Sequence, residues 1–290
     1  MLHDTNLVST VWLEKHLDEE MLRVFDTTVY LEHRKNGGGY IPASGLEDWA
    51  REHIPGSDFL DVINELSDSS NPVPFMMPAA DNFANIVQRH GVSDGSMVVL
   101  YSKGTPMWAT RVWWMLRSVG FNNVAVLDGG WDKWVAEGRV TSSEFEPYQS
   151  GKLTVRPKPD LWVSKEEMLA AENDSATVVI NALSPEVYSG KTNQYGRPGH
   201  LKGSHNVYYG SILSSKDSTF LPVDTLRERF KESGALEALK VYTYCGGGIS
   251  ATMDCLALLA CGQSNVAVYD GSMSEWVRDE NLELVLGNAP

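Results

Sequence analysis

Cysteine is scarce in this chain of 290 residues, which holds only Cys245, Cys255 and Cys261. Three cysteines cannot build a disulfide framework, and their spacing matches no common zinc site. A reducing, cytoplasmic setting is therefore expected, with no metal and no cofactor. Basic residues are also few: 24 Lys and Arg stand against 38 Asp and Glu, a formal net charge of −14. Such a surface repels nucleic acid and anionic lipid, and no basic cluster offsets it, so neither is an expected partner. A small anionic substrate can bind only where local groups reverse that field. No apolar run is long enough to cross a membrane. The opening Met1-Leu2-His3-Asp4-Thr5-Asn6 lacks the basic-then-apolar pattern of a secretory signal. Low-complexity segments are missing too.

What the chain does have is order, given twice. Hydrophobic residues make up 42% of it, and its length suits two globular domains. In the first half, apolar runs at Leu22 to Phe25, Met97 to Tyr101 and Val124 to Leu127 read as strands. Helical spacing follows at Ala109 to Val119, stopped by Gly120, and again at Trp131 to Ala136. The second half repeats the sequence of events. Strands are expected at Val178 to Ile180, Val241 to Tyr244 and Val266 to Tyr269, and helices at Ala251 to Ala260 and from Ser274. His53-Ile54-Pro55-Gly56-Ser57 answers His200-Leu201-Lys202-Gly203-Ser204, and Val124-Ala125-Val126-Leu127-Asp128-Gly129 answers Val266-Ala267-Val268-Tyr269-Asp270-Gly271. Alternating strands and helices with short connections imply an α/β protein of two domains, each a mostly parallel sheet flanked by helices. The expected domains are 1–145 and 158–290. The stretch from about Ser142 to Pro159, with Pro147, Pro157 and Pro159 and no period, joins them.

The sharpest local feature is Tyr244-Cys245-Gly246-Gly247-Gly248-Ile249-Ser250. A cysteine directly after a buried strand lies where open α/β sheets bind ligands. The glycines let the backbone curl with its amides inward, beside a helix N-terminus, which makes a nest for an anion. The same field stabilises a thiolate at Cys245, a strong nucleophile toward sulfur, and then the anionic outer sulfur of a persulfide. The bland reading, a small buried cysteine in a tight turn, competes with this one. Cys255 and Cys261 lie within an apolar helix and read as core. Phosphate chemistry on such a cradle needs an arginine six positions after the cysteine, and that position is Ala251.

Taken together these stretches resemble the rhodanese superfamily in its tandem form, which includes thiosulfate and 3-mercaptopyruvate sulfurtransferases. In the first half the likeness rests on Glu52-His53-Ile54-Pro55-Gly56, Arg111-Val112-Trp113-Trp114-Met115 and Leu127-Asp128-Gly129-Gly130. In the second it rests on Gly199 to Ser204, the Cys245 loop and Tyr269-Asp270-Gly271-Ser272. The resemblance implies a relay in which a small donor passes sulfur to Cys245. The persulfide then passes it to cyanide or to a thiol, either thioredoxin or a small molecule. It implies a cradle of amides from Gly246, Gly247, Gly248, Ile249 and Ser250. It also implies a cysteine in the C-terminal domain only, and the matching strand end in the first half is Ser102.

The departures concern the donor. Thiosulfate enzymes have basic residues after the cysteine, and this loop has none. Gly246, Gly248, Ile249 and Ser250 fit the mercaptopyruvate pattern, but Gly247 stands where serine is usual. Assisting acidic and histidine positions fall on Ile63 and Phe75, a substrate arginine on Val187, and the usual Asp-Ala-Arg on Asn181-Ala182-Leu183. Arg197 is the basic residue expected near the substrate. His200 is expected as a structural turn histidine and Asp270 as a turn cap. Arg111 is expected to tie the domains, with Trp113 and Trp114 in core and interface. Two classes stay open: an active sulfurtransferase with 3-mercaptopyruvate slightly favoured over thiosulfate, and a non-catalytic binding or redox-sensing module.

Overall fold

The structure, a computed structural model, describes residues 6–33 and 39–290. Its strands in chain order are β1 (Leu7–Val8), β2 (Leu22–Asp26), β3 (Val29–His33), β4 (Tyr40–Ser44), β5 (Ser57–Phe59), β6 (Met97–Tyr101), β7 (Val124–Leu127), β8 (Trp162–Val163), β9 (Thr177–Asn181), β10 (Ser204–Asn206), β11 (Lys240–Tyr244) and β12 (Val266–Tyr269). Two five-stranded sheets form, ordered β1-β7-β6-β2-β5 and β10-β9-β11-β12-β8. Every pairing within them is parallel. Read from the opposite edge, the second order repeats the first. Inner strands β6, β7 and β12 are buried at every residue, which explains why their sequences run apolar without alternation. An antiparallel hairpin of β3 and β4 stands apart from both sheets.

Helices Met107–Ser118 and Ala251–Ala260 are mostly apolar and present no exposed polar face, and each is almost wholly buried. A helix without a polar face must be covered on every side. These two are, because each lies between its own sheet and the other domain. Thr110 and Thr252, which occupy matching places in the two helices, share a hydroxyl hydrogen bond of 2.8 Å. Matching aspartates also cross between domains: Asp128 Oδ1 accepts from the Phe220 amide at 2.8 Å, and Asp270 Oδ2 from the Met77 amide at 2.7 Å. Asp270 is thus a cross-domain acceptor and not the cap of its own turn, because its carboxylate points at the N-terminal domain. Arg111, fully buried, donates to Asp270 Oδ1 at 2.6 Å and ties the domains as expected. Trp113 and Trp114 are fully buried, and the Trp114 indole donates across to the Leu161 carbonyl at 3.2 Å.

The paired histidine motifs play one structural role. His53 Nδ1 and His200 Nδ1 contact the carbonyls of Trp49 and Tyr188 at 2.7 and 2.8 Å, and each ring stacks on that aromatic residue. Burial pushes His200 below its ordinary value, which suits a turn histidine. Between the domains, residues 138–158 hold no helix or strand. They are strapped to the N-terminal domain nonetheless. Tyr148 accepts from the Val24 amide at 3.1 Å and donates to the Gly56 carbonyl, and the Gly151 amide donates to the Gln88 carbonyl at 2.7 Å. No helix among the described residues is long and apolar enough to cross a membrane.

Candidate active site

In the C-terminal sheet the chain steps from β9 outward to β10, then returns to the other side of β9 as β11. A crevice opens at such a reversal, beyond the carboxyl ends of the two strands. Cys245 is the first residue after β11 and is 2% exposed. Its loop is fixed from three sides. The Ser272 hydroxyl accepts from the Cys245 and Gly248 amides at 3.1 and 3.0 Å and donates to the Tyr269 carbonyl at 2.7 Å. Ser274 holds the Gly246 carbonyl with its amide and its hydroxyl, at 2.8 and 2.6 Å. Arg111 Nη1 donates to the Gly248 carbonyl at 3.2 Å. Among the described residues, the amides of Gly246, Gly247, Ile249 and Ser250 donate to no protein acceptor. They stand between the thiol and the start of helix Ala251–Ala260.

Two of the three glycines are sterically required. Gly248 has φ of +70°, and a Cβ there would lie 2.7 Å from the Asp270 carbonyl oxygen. A Cβ on Gly246 would lie 2.0 Å from the Tyr195 hydroxyl. Gly247 is different, since its nearest neighbour would be Phe75 at an ordinary 3.6 Å. The matching loop in the N-terminal domain shows why it holds no anion nest. There the Lys103 amide donates to Thr28 Oγ1 at 2.9 Å and the Gly104 amide to Asp132 Oδ2 at 3.0 Å, so its own side chains occupy the donors.

The structure brings Cys245, Gly246, Gly247, Ile249 and Ser250 together around one cavity of about 790 Å³. Gly248 faces inward, its amide committed to Ser272. Arg197 does not join them. Its guanidinium donates to the carbonyls of Asp279 and Leu282 at 2.8 and 2.6 Å, pinning the C-terminal segment, and it is not part of the cavity wall. Among the described residues, the basic residue that does reach the wall is Arg278, whose Nε and Nη2 donate to the carbonyls of Ser274 and Pro72 at 3.0 and 2.7 Å. Of the four apolar replacements, Phe75, Leu183 and Val187 line the cavity, and Ile63 does not. Cys255 and Cys261 are core, as their helix implied; burial pushes both thiols above their ordinary value.

Sequence reasoning missed the rest of the wall. Tyr195, Tyr208 and Tyr209 come from the C-terminal domain, and Tyr40 and Trp108, which join Phe75, from the N-terminal domain. Burial, with Cys245 nearby, holds the Tyr195 phenol well above its ordinary value, so it is a neutral hydroxyl. The only advance signal was the adjacent Tyr208-Tyr209 pair. The others are scattered singly over the sequence. Among the described residues no group of three or more His, Cys, Asp or Glu could hold a metal ion.

Residues 9–137 and 164–279 each match the family described as rhodanese-like domain. The chain is 27% identical over 275 residues to a 3-mercaptopyruvate sulfurtransferase of Escherichia coli K12, covering 94% of this chain and 95% of that protein. It is 31% identical over 280 residues to a thiosulfate sulfurtransferase of Gallus gallus, covering 93% and 92%. Among solved structures it is similar to SseA from Escherichia coli, a 3-mercaptopyruvate sulfotransferase. The TM-score is 0.81 and the identity 26%, over 92% of this chain and 98% of that one.

Proposed function

The chain belongs to the rhodanese-like family as a tandem pair and is a sulfurtransferase, and we propose that it moves sulfane sulfur from 3-mercaptopyruvate to a thiol or cyanide through a persulfide on Cys245. The observation that carries this reading is a buried cysteine set against four amides with no protein acceptor, ahead of a helix N-terminus. The Cys245 thiolate attacks the donor sulfur. The donor's bond to that sulfur breaks, and its electron pair leaves with the donor fragment. A second thiolate or cyanide then attacks the outer sulfur, and the electron pair of the broken S–S bond returns to Cys245. Thioredoxin or a small thiol fits this second step, and cytoplasmic residence of a chain with three free thiols belongs to the same proposal.

The donor preference follows from charge. Thiosulfate carries two negative charges and requires cations at the loop, whose own side chains supply none. Mercaptopyruvate carries one carboxylate, for which Arg278 on the cavity wall replaces Arg197 as the proposed partner, and a ketone that amides and tyrosine hydroxyls can polarise. The test is to incubate the protein with each donor and weigh it. A gain of one sulfur atom, mapped to Cys245, is expected in the wild type and in Cys255→Ser and Cys261→Ser, and no gain in Cys245→Ser. Sulfur transfer surviving in Cys245→Ser would overturn the mechanism. With one acceptor, kcat/KM should favour mercaptopyruvate; thiosulfate ahead by about tenfold would reverse the preference and leave the persulfide standing.

A further inference from the structure

The cavity beside Cys245 is much larger than either small donor requires. At about 790 Å³ it lies within the range of pockets for drug-sized ligands, about 300–1,000 Å³. Among the described residues its walls hold no Asp, Glu or Lys, and one Arg, the partly tied Arg278. Among the uncharged wall residues are two aromatic pairs, one from each domain. Phe75 and Trp108 lie with ring centroids 5.4 Å apart on one side, and Tyr208 and Tyr209 lie 4.8 Å apart on the other. Tyr195 and Tyr40 complete the enclosure.

Phe75 is the telling residue. Its φ is +65°, a conformation that a bulky side chain adopts only under constraint. The constraint is visible: Arg111 Nη2 donates to the Phe75 carbonyl at 2.5 Å. Such backbone strain is concentrated where a side chain must be aimed at a site. Here it sets the ring 3.6 Å from where a Cβ on Gly247 would stand, over the cysteine loop.

We propose that the sulfur acceptor is a small thiol bearing an uncharged aromatic ring, which packs against Phe75, Trp108, Tyr208 and Tyr209 while its sulfur meets the persulfide. This rests on the Cys245 persulfide reading and names its second substrate. Among the described residues an anionic acceptor finds a single cation in the wall, already donating to two carbonyls, and a cationic acceptor finds no carboxylate and only ring faces, so a neutral ring packed on those faces is the proposed occupant. The step balances without an oxidant. The acceptor thiol loses its proton to solvent, and its thiolate forms an S–S bond to the outer sulfur. The bond from that sulfur to Cys245 breaks with its electrons on Cys245, and the acceptor leaves as a hydropersulfide anion.

The test compares four acceptors at one saturating donor: benzyl mercaptan, 2-mercaptoethanol, 2-mercaptoethanesulfonate and thiocholine. Benzyl mercaptan should show a KM about tenfold or more below the other three. Equal KM values, or thiocholine or the sulfonate in front, would overturn the proposal, as would a thioredoxin with a lower KM than benzyl mercaptan. In Phe75→Leu, which keeps bulk and loses the ring, the benzyl advantage should shrink several-fold; an undiminished advantage would refute the role of Phe75. A second arm requires no sulfur transfer. Alkylation of Cys245 by N-benzyl iodoacetamide, each rate divided by that with glutathione, should exceed iodoacetamide by about tenfold. Absence of any persulfide adduct would strike the mechanism and this inference with it, whereas absence of the benzyl gain with the adduct present would strike this inference alone.

Discussion

Gly247 separates steric from electrostatic roles in the cysteine loop. A side chain there meets only ordinary contacts, with Phe75 at 3.6 Å and the Pro74 carbonyl and Ser274 hydroxyl at 3.8 Å. Gly247→Ser should therefore fold with stability within about 0.5 kcal/mol of the wild type, and chemical denaturation measures it. Gly247→Asp occupies the same space but puts a negative charge among the free amides. It should slow iodoacetamide alkylation of Cys245 at neutral pH by about tenfold, since each such step corresponds to about 1.4 kcal/mol against the thiolate. Equal alkylation profiles for the two variants would show that the amides do not set the thiolate's energy. At this scale the place of the cysteine loop at the end of its strand was legible, because strand, cysteine and glycines are consecutive. Most of the cavity's aromatic wall was not, because Tyr40, Trp108, Tyr195 and Tyr209 converge from distant segments of two domains. Arg197 misled for a related reason: proximity in sequence to the site did not fix which carbonyls, those of Asp279 and Leu282, would claim its guanidinium.

At the level of elements, continuous apolar runs were reliable guides. Met97–Tyr101, Val124–Leu127, Ala251–Ala260 and Val266–Tyr269 fall where their burial on both faces required. The two-residue edge strands Leu7–Val8 and Trp162–Val163 are too short to show a period, and the Val29–His33 and Tyr40–Ser44 hairpin carries a proline at Pro42. Helix Ala251–Ala260 holds one conflict. Asp254 is completely buried, and neither carboxylate oxygen has a hydrogen-bond partner. Burial holds its pKa well above the ordinary carboxylate range. A carboxyl raised in the folded state stabilises most at acid pH, and that contribution is lost as pH rises toward its folded value. Near neutrality Asp254 thus costs stability. Val112 occupies the matching place in the other helix, two residues after Thr110 as Asp254 is two after Thr252. Asp254→Val should raise stability at neutral pH by about 1–3 kcal/mol, the usual cost of an unsatisfied buried polar group. The gain should narrow on acidification. Thermal unfolding at two pH values measures both, and a destabilised variant would mean that the carboxyl has a partner in solution.

For the whole molecule, the question is what makes two similar domains one enzyme. Their contact is symmetric in plan but not in chemistry. Asp128 reaches the Phe220 amide, and Asp270 reaches the Met77 amide, yet only Asp270 also neutralises a buried arginine. Arg111 connects that pair to the reaction loop through the Gly248 carbonyl and to the cavity wall through the Phe75 carbonyl. The N-terminal domain, though it lacks a cysteine, therefore both clamps the loop and supplies half of the aromatic wall. Asp270→Asn leaves Arg111 buried without its counter-charge and should cost about 3 kcal/mol. Asp128→Asn loses only one carboxylate-to-amide contact and should cost about 1 kcal/mol. The two should also part in activity. Asp270→Asn should lower kcat/KM for sulfur transfer several-fold through the displaced Gly248 and Phe75, and Asp128→Asn should leave it near the wild-type value. Equal losses in both variants, in denaturation and in turnover, would mean that docking alone matters, and that the arginine bridge does not carry the N-terminal domain's contribution to the site.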